Sequence, residues 1–364
     1  MNNIFLKKSL LLVVLAGTLF SCKKDNNKEI QQLEPGKFED GFFIINEGWY
    51  GHGTGSITFF DNASRTLKDS VFQKENPGKD FEPKSSTVQF ATIFNKNLYV
   101  VSKIGGPVVV ADAKTLKEVG RIPASPKSDW RAFVGLDENN GLLSSSKGIF
   151  KVNLKTYDAT TQVAGTSGQT GDMLKAGKYV YTLSQSEGAV IYNLADLIVA
   201  KKIKGVTLGF AQTPNNKVWY TKGKFLYNSD PVTLATDSVE LPFTPASTWF
   251  TWFSSPIIAS TKENTVFLLK SPSFGGGKML YKYTEGNPAT LQQPFITTPD
   301  KQSFYKKNLG YDAKTNQIVV TTVQDGYGEN YGVNNIYFYG AVSGNLVNKI
   351  SYSGYYFPAM FVFH

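Results

Sequence analysis

Seven copies of one strand, turn and strand phrase, a near-absence of helical periodicity and a lone apolar strand at the end of the chain predict an all-β fold. The architecture they predict is a seven-bladed β-propeller of four-stranded antiparallel blades, its ring closed by a C-terminal strand that completes the first blade. Composition agrees: 14% aromatic residues, 33 Gly, 16 Pro and only 18% charged residues suit many short strands joined by tight turns.

The phrase is an apolar or aromatic strand, a polar turn with Asp, Asn or Gly, then a strand of mixed polarity. It reads ITFFDNASRTL at 57–67, VVADAKTL at 109–116, FKVNLKTY at 150–157 and VIYNLADL at 190–197. Weaker copies stand at 226–234, 280–291 and 336–346, so the spacing is roughly 36 to 56 residues, room for four strands per unit. Ahead of six copies lies a second hairpin with its own turn, at 95–97, 138–141, 176–177, 214–216, 262–264 and 314–316.

The first unit supplies only three strands, at 42–46, 56–61 and 67–71. The spare strand PAMFVF at 358–363 is expected to pair with it, which removes both free edges of an open ring.

The chain begins with Lys7 and Lys8 followed by an apolar run at 10–20, the layout of a secretory signal and too short to span a bilayer. The LFSC sequence at 19–22 resembles the lipobox of bacterial lipoproteins, which marks Cys22, the only cysteine, for acylation. Residues 1–21 are therefore expected to be a signal peptide, 22–36 a polar tether without periodicity, and 37–364 a single propeller. The formal charge of +9 is scattered rather than gathered into a stripe, so nucleic-acid binding is not expected.

In an up-and-down blade, the loop between the second and third strands leaves from the same end as the connection to the next blade. Those loops are short in the middle units and enlarged in three: GWYGHGTG at 48–55, SPSFGGG at 271–277 and QDGYGENYGVNN at 324–335. Their units, the first, sixth and seventh, become neighbours when the ring closes. The connections of the same sector, at 72–87, 245–256, 297–305 and 352–357, are long and aromatic. Long loops on a rigid frame are where binding is expected, and their Tyr, Trp, Asn and Gly chemistry suits a flat or sugar-like ligand. The candidate ligand-binding residues are Trp49, Tyr50, His52, Phe274, Tyr327 and Tyr331 in the loops, and Trp249 and Trp252 in a connection. Trp130 and Arg131, at the entrance to the third unit, are candidates that reach the central opening.

No catalytic residue is assigned. With two histidines and one cysteine, Ser-His-Asp, Cys-His and His-rich metal sites are not expected. Carboxylate chemistry by Glu47, Asp129, Asp172, Asp325 or Glu329, as in a metal-dependent propeller lactonase or lyase, stays open without a signature spacing. So does a scaffold that docks a partner protein and holds no small ligand.

The sequence FIINEG at 43–48 with its Gly-rich continuation, the repeats, and FPAM at 357–360 resemble the DUF5074 family of YncE-like propeller lipoproteins of Bacteroidetes over nearly the whole mature chain. The resemblance implies a seven-bladed propeller at the outer membrane or cell surface. One branch, the BtuG-type surface proteins, captures cobalamin and hands it to a TonB-dependent transporter. A corrinoid is thus the cargo, and such a transporter the partner, that the resemblance suggests; no other cofactor is implied. Were the cargo a corrinoid, His52 could serve as an axial cobalt ligand.

Overall fold

The computed structural model describes residues 36–364 apart from 126–128, 246, 250, 271–276 and 327. The signal segment, Cys22 and the tether up to residue 35 lie outside the described residues, as do Phe274 and Tyr327.

Among the described residues, twenty-eight strands form seven four-stranded antiparallel sheets, the expected propeller. In blade 1 the order from the axis outward is Pro358–Phe363, Gly41–Asn46, Ser56–Asp61 and Thr66–Lys68, so the C-terminal strand closes the ring where the sequence placed it. In each of the other blades the first strand in sequence is innermost. These strands are Thr87–Phe94, Trp130–Gly135, Thr170–Ala176, Val206–Gln212, Ile257–Ala259 and Gln302–Asp312, and each packs against the next around the axis.

Second strands such as Tyr179–Ser184 are buried along their whole length, because both their faces meet neighbouring blades. Outermost strands such as Leu346–Ser353 are mostly exposed, which is why they read as mixed in polarity.

The recurring phrase is the hairpin between third and fourth strands, and its turn explains the recurrence. The side chains of Asp112, Asn153 and Asp230 accept bonds of 2.8–3.0 Å from the backbone N–H two residues on. The N–H four residues on then bonds back to the carbonyl of the turn's first residue, as Leu116 does to Asp112 at 2.8 Å and Gly344 to Gly340 at 2.8 Å. That closing residue is left-handed, with φ of 56° at Leu116, 59° at Tyr157 and 71° at Gly344. Asp and Asn recur because their short side chains template the turn.

One expected element changes. The first unit's last strand ends at Lys68 instead of running to 71, and Val71–Glu75 forms a short helix. Ser70, with φ 51°, breaks the extended backbone and turns Val71 and Phe72 into the core, where Phe72 stacks on Phe81 at 4.6 Å.

The closure is aromatic. Phe42 is 1% exposed and its ring lies 4.9 Å from Phe60, 5.0 Å from Phe363, 5.6 Å from Phe361 and 6.2 Å from Phe338 of blade 7. Truncating such a ring removes buried apolar area and leaves a cavity. We therefore expect Phe42→Ala to lower unfolding free energy by about 3–5 kcal/mol in urea titrations; a loss below about 1 kcal/mol would show that the seam does not hold the ring.

Candidate functional site

Closure places the start and the end of the chain side by side. The Glu47 N–H donates to the Phe357 carbonyl at 2.9 Å and the Gly48 N–H to the Tyr356 carbonyl at 3.0 Å. Over this junction opens a cavity of about 560 Å³. Glu47, Gly48, Trp49 and Tyr50 form one wall, Tyr355 and Phe357 a second, and Gly328, Glu329 and Tyr331 of the blade 7 loop a third. Thr87, Thr251, Tyr305 and Lys306 complete the lining.

The walls are a run of rings. Trp49 lies 4.9 Å from Tyr355, Tyr355 6.5 Å from Phe357, and Phe357 5.5 Å from Tyr331 and 5.8 Å from Tyr305. At the rim Trp49, Tyr50 and Tyr355 are 47%, 55% and 40% exposed, unusual for such large side chains on a compact surface. Phe357 has a φ of 49°, an outlier for a bulky residue, held by the bonds of its own carbonyl and its neighbour's to Glu47 and Gly48.

At the base, Lys306 Nζ sits 2.5 Å from Glu47 Oε1, with both side chains nearly inaccessible. Such a pair gains from mutual attraction only by giving up hydration, so each partner depends on the other. The Tyr305 hydroxyl faces Glu47 Oε2 at 3.5 Å, and burial first, then the Glu47 charge, raise its pKa well above the usual phenol range. It therefore remains a protonated donor at neutral pH. Lys306 reaches the cavity because residues 305–308 drop out of register in the innermost strand of blade 7, Lys306 adopting a φ of 52°.

A second cluster closes the axis beside the cavity. Trp252 and Trp249 are 1% and 8% exposed, and the Arg131 guanidinium lies 5.6 and 5.7 Å from their rings. Lys103 Nζ donates to the carbonyls of Trp252, at 2.8 Å, and of Thr251. The Ser255 N–H and hydroxyl donate to Asp172 Oδ2 at 2.8 and 2.7 Å. Gly171 leaves room for this plug, since a Cβ there would stand 2.3 Å from Trp252 Nε1.

Of the candidate residues, Trp49, Tyr50 and Tyr331 line the cavity together. His52 stacks on Trp49 at 4.1 Å and opens into an adjacent groove with Thr54, Gln73 and Asp80. Trp249, Trp252 and Arg131 belong to the buried plug. Trp130 packs within blade 3, edge-on to Phe150, its Nε1–H bonded to the Pro123 carbonyl at 2.8 Å. Sequence reasoning did not single out Lys306, Tyr305, Lys103, Tyr355 or Phe357. Tyr355 and Phe357 stood in the connection at 352–357 and Tyr305 in that at 297–305, both already marked as aromatic, whereas Lys306 and Lys103 carried no such mark. Among the described residues no three His, Cys, Asp or Glu side chains gather as for a metal ion.

The family model described as "Domain of unknown function (DUF5074)" matches residues 40–364. No curated protein matches. A solved quinonprotein alcohol dehydrogenase-like protein from Bacteroides thetaiotaomicron VPI-5482 is similar with a TM-score of 0.73 at 18% identity, over 90% of this chain and 78% of that one. The Pan2 WD40 domain of Neurospora crassa is similar with a TM-score of 0.59 at 11% identity, over 87% of this chain and 89% of its own. Dihydro-heme d1 dehydrogenase NirN, solved with DHE, gives 0.51 at 9% identity over 88% and 76%. At these identities the likeness shows the fold alone.

The plug carries a pH dependence. Burial first, then repulsion by Lys306 and Arg131 against the attraction of Glu47 and Asp129, pushes the Lys103 amine down to about 7 from 10.5. Between those values the unfolded chain binds a proton that the folded chain does not, so stability rises with pH. Urea midpoints are expected to climb from pH about 7 to about 9.5, and the climb to shrink in Lys103→Met. An equal climb in both proteins would contradict this origin.

Proposed function

The chain belongs to the DUF5074 family, and from that premise and the cavity we propose that it is a surface lipoprotein that captures a flat, partly apolar small molecule for delivery to an outer-membrane transporter. The observation that carries the reading is the run of half-exposed rings, Trp49, Tyr50 and Tyr355, above a buried Glu47–Lys306 pair. Aromatic walls offer large contact area at small entropic cost, and the polar base offers a place to orient a ligand's hydrogen-bonding edge. Within the family reading the cargo is a corrinoid and the partner a TonB-dependent transporter. His52, which shares the adjacent groove with Trp49 and packs against it at 4.1 Å, is then the candidate axial ligand. Cys22 acyl chains would hold the propeller at the outer membrane.

The rim also supports a second reading, a docking surface for a partner protein, since Trp49, Tyr50 and Tyr355 form one exposed aromatic patch.

Calorimetric titration with cyanocobalamin and cobinamide separates the two. Corrinoid capture requires heat of binding that Trp49→Ala weakens by about tenfold or more, with His52→Ala weakening the cobalt-coordinated form. No heat with either ligand would overturn the corrinoid reading and favour docking. For the anchor, labelled palmitate should enter the wild-type chain and not Cys22→Ala; equal labelling would refute it.

A further inference from the structure

The innermost strands start at the cavity face, and among the described residues six of them lose register soon after they start. The residues left out of pairing are Ala359 in blade 1, Gln89 in blade 2, Arg131 and Ala132 in blade 3, Gly171 and Asp172 in blade 4, Thr207, Gly209 and Phe210 in blade 5, and 305–308 in blade 7. A bulge re-aims a side chain out of the strand's alternation. Irregular strands in six blades, all toward the same end of the axis, therefore make a ring, and several of the residues in it are polar.

Their hydrogen bonds do not close among themselves. Gln89, Arg131 and Asn308 are 1%, 7% and 0% exposed. Both ends of the Gln89 and Asn308 amides, and Nε and Nη1 of Arg131, have no hydrogen-bond partner among the described residues. Native interiors seldom leave such groups unpaired. The Arg131 Nη2 donates to the neutral Gln169 amide oxygen, and the Lys103 ammonium to two backbone carbonyls. Of Lys103, Arg131, Lys306 and Lys307, only Lys306 has a carboxylate within ion-pair distance among the described residues. Asp172 is taken by Ser255, although Lys307, from the far side of the ring, feels its charge.

A ligand for these groups would accept from a guanidinium and from amide N–H groups, and negative charge on it would add to the partial compensation that Asp129 gives the buried Arg131. Water satisfies the amides but does not neutralise a buried cation. Trp249 and Trp252 cover Arg131 at the plug. Elsewhere along the innermost strands Lys307 lines a separate groove of about 320 Å³ with Phe90, Ile93 and Met360.

We propose that the bulge ring around the axis is a second binding site, distinct from the aromatic cavity, for a small oxyanion of the carboxylate or phosphate class. Arg131 is its charge partner, and the Gln89 and Asn308 amides are its neutral donors.

The test titrates the full chain with sodium phosphate, and separately with succinate, against chloride at matched ionic strength. Thermal midpoint and tryptophan emission are read together, since Trp249 and Trp252 contact Arg131. One anion should raise the midpoint with the logarithm of its concentration and shift the emission, which identifies the class. Arg131→Met should abolish both responses, and Gln89→Leu should weaken them about tenfold. Should Arg131→Met fail to fold, Gln89→Leu decides alone. The site is refuted if neither anion acts beyond chloride, or if the variants respond as the wild type does.

Discussion

Everything at the cavity depends on one strand pairing, that of Pro358–Phe363 with Gly41–Asn46. An open ring of seven blades would expose two edges and lose the Phe42 cluster between blades 7 and 1. Closure does more than protect edges. It brings Glu47 and Gly48 against Tyr356 and Phe357 through two backbone hydrogen bonds, and those four residues carry the walls that meet over the cavity. The latch and the candidate site are thus one piece of structure, made from residues more than three hundred positions apart in the chain.

The two ends of the blades divide the work. At one end, hairpins close with Asx turns and left-handed residues, local geometry that repeats and asks for no partner. At the other, innermost strands bulge, and the connection between blades 5 and 6 folds inward to seat Trp252 and to bond Lys103 and Asp172. Among the described residues, five of the seven buried charged side chains, Glu47, Lys103, Arg131, Asp172 and Lys306, sit at this second end. A protein that only needed a rigid ring would gain more from apolar residues there, since buried ion pairs return little stability over well-packed hydrophobes. Charge kept at that expense is the usual mark of a site.

The fold was legible because it repeats. Asp or Asn opens the turn in five of the blades, apolar third strands and polar fourth strands recur around the ring, and the surplus strand at 358–363 could be counted against the deficit at the start. The sector of the cavity was legible from loop length, since Trp49, Tyr50 and Tyr331 lie in loops longer than their counterparts. The interior of the site was not. Trp249 and Trp252 look like loop aromatics in sequence, yet they fill the axis, because Gly171 vacates the space that Trp252 occupies. Lys306 sits in the run Phe304-Tyr305-Lys306-Lys307-Asn308, which marks no single face as buried, and its inward turn comes from the bulge at 305–308.

Native-state hydrogen exchange across the latch tests the central claim most directly. If the ring closes through this strand and the site depends on it, the amides of residues 43–48 and 359–363 should exchange only with global unfolding, as slowly as those of Tyr179–Ser184 in blade 4. Fast exchange of the latch beside a protected blade 4 would mean that the ring stands open in solution, and that the cavity between Trp49 and Phe357 is not a standing feature of the molecule.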